Sequence, residues 1–375
     1  MNHASSSDST HEKTLRILGT RGIPARYGGF ETFAQHLALY LRERGWRVIV
    51  YCQGAPDSRR ARDGWHGIER VHIPVPNSAS GTVWFDWCAT RDAARHRDLC
   101  LTLGYNTAAF CALLRAYRIR NVINMDGIEW RRAKWNRVVK TWFWFNERLG
   151  CLLGDCLVAD HPEIARHLAT RVSREKIVMI PYGGTVVTEA PSEELNRLHL
   201  VPGSYLTLVA RPEPENNTLQ IVRAFSRKVH SYTLVVLGQY STRHSYHSSV
   251  LQAASEQVRF VGAVYDDALL RTLRFHSLAY VHGHSVGGTN PSLVEAMAAG
   301  NAVIAHDNSY NRWVAGERAM YFKNELELAA IFDRLDRRCD ELDEMRTASR
   351  ERVAQDFDWL KILQAYERLL ESYSK

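Results

Sequence analysis

Apolar positions along the chain alternate between two spacings. Residues 15–18 (Leu-Arg-Ile-Leu) form a short β-type run. A glycine-rich loop follows, and then over 30–44 Phe33, Leu37 and Leu41 recur four apart, with Ala34 and Ala38 beside them. A single apolar stripe at that spacing predicts a helix. Gly45 stands where a helix end takes a left-handed residue, and 47–51 (Arg-Val-Ile-Val-Tyr) is the next strand. The three elements make a βαβ unit of a parallel, doubly wound sheet. The same alternation predicts strands at 71–73, 100–103, 122–125 and 156–159. A second series follows at 205–209, 233–237, 259–261, 278–282 and 302–305, with a helix over 219–228. The stretch 183–202, rich in Thr, Pro, Ser and Glu, reads as a linker. Two βα arrays in one chain predict two Rossmann-like α/β domains facing across a cleft. The expected division is a disordered tail at 1–13, an acceptor domain at 14–185, a donor domain at 186–352, and a terminal helix at 353–375 packing back on the first domain.

Composition narrows the picture. At 375 residues, 45% hydrophobic and 24% charged, the chain has the balance of a globular protein of more than one domain. Its seven cysteines are scattered, with no CxxC pair, so they read as reduced core residues rather than a disulfide framework. No apolar run is long enough to span a bilayer, and the polar start is no signal peptide, so a cytoplasmic location is expected. The formal charge of +7 suits an acidic partner (phosphate, anionic membrane or nucleic acid) without choosing among them.

The most informative segment runs from His282 to Gly300. It follows a strand, and Gly287 and Gly288 let backbone approach a ligand. Thr289 or Asn290 can cap the next helix, with Pro291 at its first position. Such a helix start is a natural anion site; the plain alternative is a tight turn capped in the ordinary way. Arg211 follows the strand 205–209, where the loop beyond a parallel strand faces the ligand crevice. It suits bidentate binding of a diphosphate, or else surface pairing with Glu213 or Glu215. Gly28 and Gly29 bring a second anion-friendly loop at the first helix. The Gly19-Thr20-Arg21-Gly22 turn is not G-x-G-x-x-G, and Walker A and H-E-x-x-H patterns are absent. With no D-x-D motif in fitting surroundings either, no metal is expected, and His282 and His284 read as packing residues. Residues 130–145 mix basic and aromatic side chains. They read either as a peripheral contact with the inner face of the plasma membrane or as core aromatics with a solvated charged face.

The runs Gly19–Pro24 with Tyr27–Thr32, Asn124–Trp130, Arg211–Asn217, and Gly283–Ser292 with Glu295-Ala296 together resemble the retaining family-4 glycosyltransferases of the GT-B fold. Within these the resemblance is to the rhamnosyltransferase branch of bacterial capsule and O-antigen assembly. It implies that Arg211 binds the donor diphosphate and Glu295 the nucleotide's sugar ring. Val261 and Gly262 would receive the base, while Gly28, Gly29, Asn216, Gly287, Gly288, Thr289 and Asn290 complete the donor site. Asp126 falls near a family histidine beside the reacting centre, and could instead be a plain strand-end cap; Tyr27, Asp126 and Glu129 are the expected acceptor-side residues. The family's first E-x7-E glutamate is Gly287 here, and its usual lysine is Asn216, a departure that suits a 6-deoxyhexose. The implied co-substrate is dTDP-rhamnose and the implied acceptor a lipid-diphosphate-linked glycan, with no further cofactor. Competing readings are a GT-B nucleotide-sugar epimerase and, lacking any recognised module, a nucleic-acid binder.

Overall fold

The computed structural model describes residues 13–26, 28–336 and 341–374; Tyr27, Cys339 and the expected tail up to residue 12 lie outside the described residues. The chain divides into two compact units. The first takes the described residues up to Met125, Asn146–Val158 and the stretch from Leu363; the second takes Asp126–Phe145 and Ala159–Ile362. The division is therefore not a cut at one linker, since residues 126–145 group with the second unit.

The first unit is built on β1 (Thr14–Leu18), β2 (Arg47–Gly54), β3 (Ala61–Trp65), β4 (Ile68–Pro74), β5 (Leu99–Leu103), β6 (Asn121–Asn124) and β7 (Cys156–Ala159). They lie in the order β3-β4-β2-β1-β5-β6-β7 within an eight-stranded sheet whose last strand is β8 (Ile177–Met179). Among β1–β7 all neighbours are parallel except the hairpin β3–β4. Leu15, Ile17, Val48, Val50, Leu101 and Ile123 are sealed from solvent, as strands covered on both faces require. The helix Gly29–Glu43 buries Phe33, Ala34, Leu37, Ala38 and Leu41, the stripe read from the sequence. Gly45 has a φ of 80°, the left-handed stop expected there.

In the second unit a short strand β8 (Ile177–Met179) precedes β9 (Tyr205–Val209), β10 (Thr233–Leu237), β11 (Val258–Gly262), β12 (Ala279–His282), β13 (Val303–His306) and β14 (Met320–Phe322). The six-stranded sheet has the order β11-β10-β9-β12-β13-β14, and every pair in it is parallel. Alternate residues feed two cores. Leu206 and Leu208 pack with Val222, Phe225, Val281, Ile304 and Phe332, whereas Tyr205 packs with Val235, Leu237 and Leu273 on the other face. From β9 the chain first builds outward through β10 and β11. It then returns to lay β12 on the opposite side of β9. The strand order reverses between β9 and β12, and in open α/β sheets ligands bind beyond the carboxyl ends of the strands at such a switch point.

The last helix, Trp359–Tyr373, serves both units. Trp359 packs edge-on against Tyr182 at 4.8 Å in the second. In the first, Asn124 donates to the Tyr366 hydroxyl at 2.9 Å, and Glu367 takes a hydrogen bond from Tyr40 and an ion pair from Arg44.

Candidate active site

Two loops leave the carboxyl ends of β9 and β12 and are laced together. After β9 the carbonyl of Arg211 accepts from the Glu213 amide at 2.7 Å and from Asn216 Nδ2 at 2.8 Å, which folds the loop back on itself. Asn217, at φ 51°, donates through Nδ2 to the Gly283 carbonyl at 2.8 Å. Ser285 returns two bonds to the Glu215 carbonyl, from its amide and its hydroxyl, each 2.9 Å. The approach is close enough that a Cβ on Gly283 would stand 2.2 Å from the Asn216 carbonyl oxygen, so only glycine fits.

The charges around the first loop are sorted. Arg132 bonds Glu215 at 2.5 Å and Glu129 at 2.7 Å, and Lys134 bonds Glu213 at 3.0 Å. Burial raises the Glu213 carboxyl, but Lys134 and then Arg132 carry it below its ordinary value. Glu213 and Glu215 were the sequence's alternative partners for Arg211, and both are occupied by other cations. Arg211 itself is exposed and forms no ion pair among the described residues. Its charge still reaches the second unit's acids, drawing the Asp126 and Glu213 carboxyls downward. Glu129, an expected acceptor-side residue, is buried and bonded to Arg132 and to the Trp135 indole at 3.2 Å.

Beyond β12, His282 is buried and stacks on His284, with ring centroids 4.3 Å apart and planes 9° from parallel; burial first, then His284 for the one ring and the charge of Arg132 for the other, lowers both imidazoles below their ordinary value. Gly287 follows with φ 144°. Asn290 caps the helix Pro291–Ala298, its side chain accepting from the Ser292 amide at 3.3 Å, with Pro291 at the first position. Of the two caps the sequence allowed, Asn290 is the one used. Thr289 is turned elsewhere: its amide donates to Asp160 Oδ2 at 2.9 Å and its hydroxyl to the Asp160 carbonyl.

Asp160 is the residue that sequence reasoning passed over. It stands just past β7, at the carboxyl end where ligand-facing residues gather, and that position was its legible signal. A Cβ on Gly288 would lie 2.2 Å from Asp160 Oδ1, so Gly288 is the lid over this carboxylate. Burial, and after it the nearby charge of Asp126, pushes the Asp160 carboxyl up to about 7. Asp126, with φ 53°, is pushed up to about 6 by burial and by Glu129, with Arg132 and Arg211 opposing. The next residue, Gly127, packs on Gly287, where a Cβ would meet the Gly287 α-carbon at 3.6 Å. Asp126, Asp160, Arg211 and the Gly287–Asn290 turn thus belong to one unit, linked through shared neighbours.

Glu295 is held by Arg274 at 2.6 Å and by the Tyr182 hydroxyl at 3.3 Å, which orients its carboxylate. Val261 and Gly262 end β11, two strands from β9, and the Gly262 carbonyl accepts from Gly238 at 2.9 Å. Gly28 and Gly29 open the helix Gly29–Glu43 of the first unit, with the Gly28 carbonyl accepting from Thr32. Among the described residues no group of three or more His, Cys, Asp or Glu is placed to hold a metal ion.

An unengaged guanidinium, glycine backbone and a capped helix start at one switch point form an arrangement suited to a dianion. Residues 12–185 match a domain of unknown function (DUF1972), and residues 200–344 match glycosyl transferases group 1. No curated protein matches the chain. Solved structures do. Sucrose-phosphate synthase from Thermosynechococcus elongatus is 16% identical with a TM-score of 0.79, over 96% of this chain and 99% of that one. HepE from Anabaena, in complex with UDP-glucose, is 15% identical with a TM-score of 0.76, over 96% and 100%. The α,α-trehalose-phosphate synthase (UDP-forming) of Burkholderia vietnamiensis is 11% identical with a TM-score of 0.73, again over 96% and 100%. At such identities the likeness is one of fold. The chain thus has the GT-B fold over nearly its whole length, and its residues 200–344 carry a domain matching glycosyl transferases group 1.

Proposed function

We propose that the protein is a glycosyltransferase that moves L-rhamnose from dTDP-rhamnose, with retention, onto a lipid-diphosphate-linked glycan in bacterial surface polysaccharide synthesis. The observation that carries the donor half is the sorting of charge around Arg211. Every carboxylate of its own loop is neutralised by Arg132 or Lys134, which leaves the Arg211 guanidinium exposed beyond β9. As a nucleoside diphosphate departs, negative charge grows on its β-phosphate. Arg211 and the amide groups at the start of the helix Pro291–Ala298 stabilise that charge where it develops. Asp126 stands on the acceptor side, and the leaving phosphate takes the acceptor proton in a front-face attack.

Two features support the 6-deoxy sugar. Gly287 offers no side chain to a sugar hydroxyl, and the Asn216 amide is spent on its own loop, donating to the Arg211 carbonyl at 2.8 Å. Neither position presents the polar group that a hexose hydroxyl would use.

A donor screen tests the reading, with thermal shift and nucleoside-diphosphate release as readouts. Stabilisation by dTDP and dTDP-rhamnose is expected. UDP-glucose belongs in the screen as the ligand named for HepE, and a preference for it overturns the rhamnose assignment. Turnover of the donor without any acceptor sugar identifies an epimerase instead.

A further inference from the structure

We propose that the outward face of the helix Arg137–Leu153 is a docking surface for an anionic lipid bilayer. At 3.6 residues per turn, Val138, Trp142, Phe145 and Leu152 fall on one side of this helix. All four are open to solvent, at 79%, 40%, 50% and 70%. Val138, Thr141, Trp142 and Phe145 line an open groove on that surface. The opposite side does the packing: Phe143 is buried against Trp135, with ring centroids 5.4 Å apart, and Asn146 and Glu147 are buried. The stripe is an apolar patch open to solvent, and exposed patches of this kind mark interaction sites.

Charge selects the occupant. Arg137 and Arg148, both exposed, flank the stripe, and the helix's one acidic residue, Glu147, is buried. A second copy pairing through the same face would set these cations against their equals, as a two-fold contact demands. An anionic headgroup layer neutralises them while the acyl boundary takes up Val138, Phe145 and Leu152. Trp142 and Trp144, each 40% exposed, carry the amphipathic ring that settles at headgroup depth. Among the described residues no helix is long and apolar enough to cross a membrane, so the helix would lie in the plane of the interface. A lipid-borne acceptor would then reach the enzyme on the surface to which it is docked, although the docking itself stands independently of donor or acceptor identity.

Vesicle flotation of the full chain, without nucleotide sugar, tests the proposal. Vesicles of phosphatidylcholine alone are compared with vesicles of equal parts phosphatidylcholine and phosphatidylglycerol. Binding to the anionic vesicles is expected, weakened by salt. Phe145→Ser combined with Val138→Ser should lower it about tenfold or more, as loss of two buried apolar side chains implies. Arg148→Glu with Arg137→Glu should remove the preference for phosphatidylglycerol. An unchanged circular dichroism melting curve establishes that each variant folds. The proposal is overturned by absence of binding to either vesicle, or by full binding in the folded variants. It is also overturned by sedimentation showing wild-type self-association that Phe145→Ser abolishes without any vesicle binding.

Discussion

At residue scale, the second unit turns on the small distance between Gly288 and Asp160. Gly288→Ala would put a methyl group 2.2 Å from Asp160 Oδ1, so either the turn shifts or the carboxylate leaves Thr289. Overpacking of this kind costs about 1–3 kcal/mol. The expected outcome is a lower melting temperature together with weaker donor binding, measured by calorimetry and titration. The charge on Asp160 makes a separate prediction. Its folded value of about 7 lies well above the ordinary value of an unfolded aspartate, about 3.9. Between those values the folded state holds a proton that the unfolded chain has lost, so the pair's contribution to stability drains away as pH rises through that window. Asp160→Asn removes the titration and keeps an oxygen for the Thr289 amide. Scanning calorimetry should find the variant more stable than wild type at pH 8 by about a few degrees, with the gap closing towards pH 4. A gap of constant size across that range would contradict the assignment. Asp160 escaped sequence reasoning because no motif surrounds it. What marks it is a backbone amide from a residue far along the chain, a proximity that exists only once the second unit has folded.

At element scale, strands buried on both faces were the easiest to read. β7, β9 and β10 fall at the boundaries that their apolar runs predict. β3 left no such trace: Ala-Arg-Asp-Gly-Trp is exposed along most of its length, so hydrophobic alternation has nothing to report. What holds β3 is pairing with β4 across the turn at His66 and Gly67, at φ 49° and 78°, a twist suited to a tight hairpin. β14 is only three residues long, too short for periodicity to register. The terminal helix Trp359–Tyr373 was visible as an apolar stripe, but its partners were not. Tyr366 is buried against Phe33 with ring centroids 4.6 Å apart, and its hydroxyl accepts from Asn124. Tyr366→Ala should therefore destabilise the first unit by about 3–5 kcal/mol, the usual range for removing a large buried aromatic. Denaturant unfolding monitored by fluorescence checks this, and a loss below about 1 kcal/mol would show that the helix end contributes little.

At the scale of the whole molecule, two successive βα arrays announced two parallel-sheet domains. The chain's division into units is less tidy than a linker reading allows, because residues 126–145 group with the second unit and the stretch from Leu363 with the first. Hydrophobic pattern reports which segments are buried, not which core they join; that choice is made by long-range packing. The same holds for the donor site. Glycines and the helix cap were legible, whereas the freedom of Arg211 depends on Arg132 and Lys134 arriving from a distant stretch of chain to occupy Glu213 and Glu215. The account stands on that guanidinium being available to a diphosphate. Titration calorimetry of dTDP into wild type and Arg211→Ala measures it directly. Two charge-assisted bonds at roughly 1.5–3 kcal/mol each predict at least about a hundredfold loss of affinity, at an unchanged melting temperature. Equal affinity in the two proteins would contradict the account.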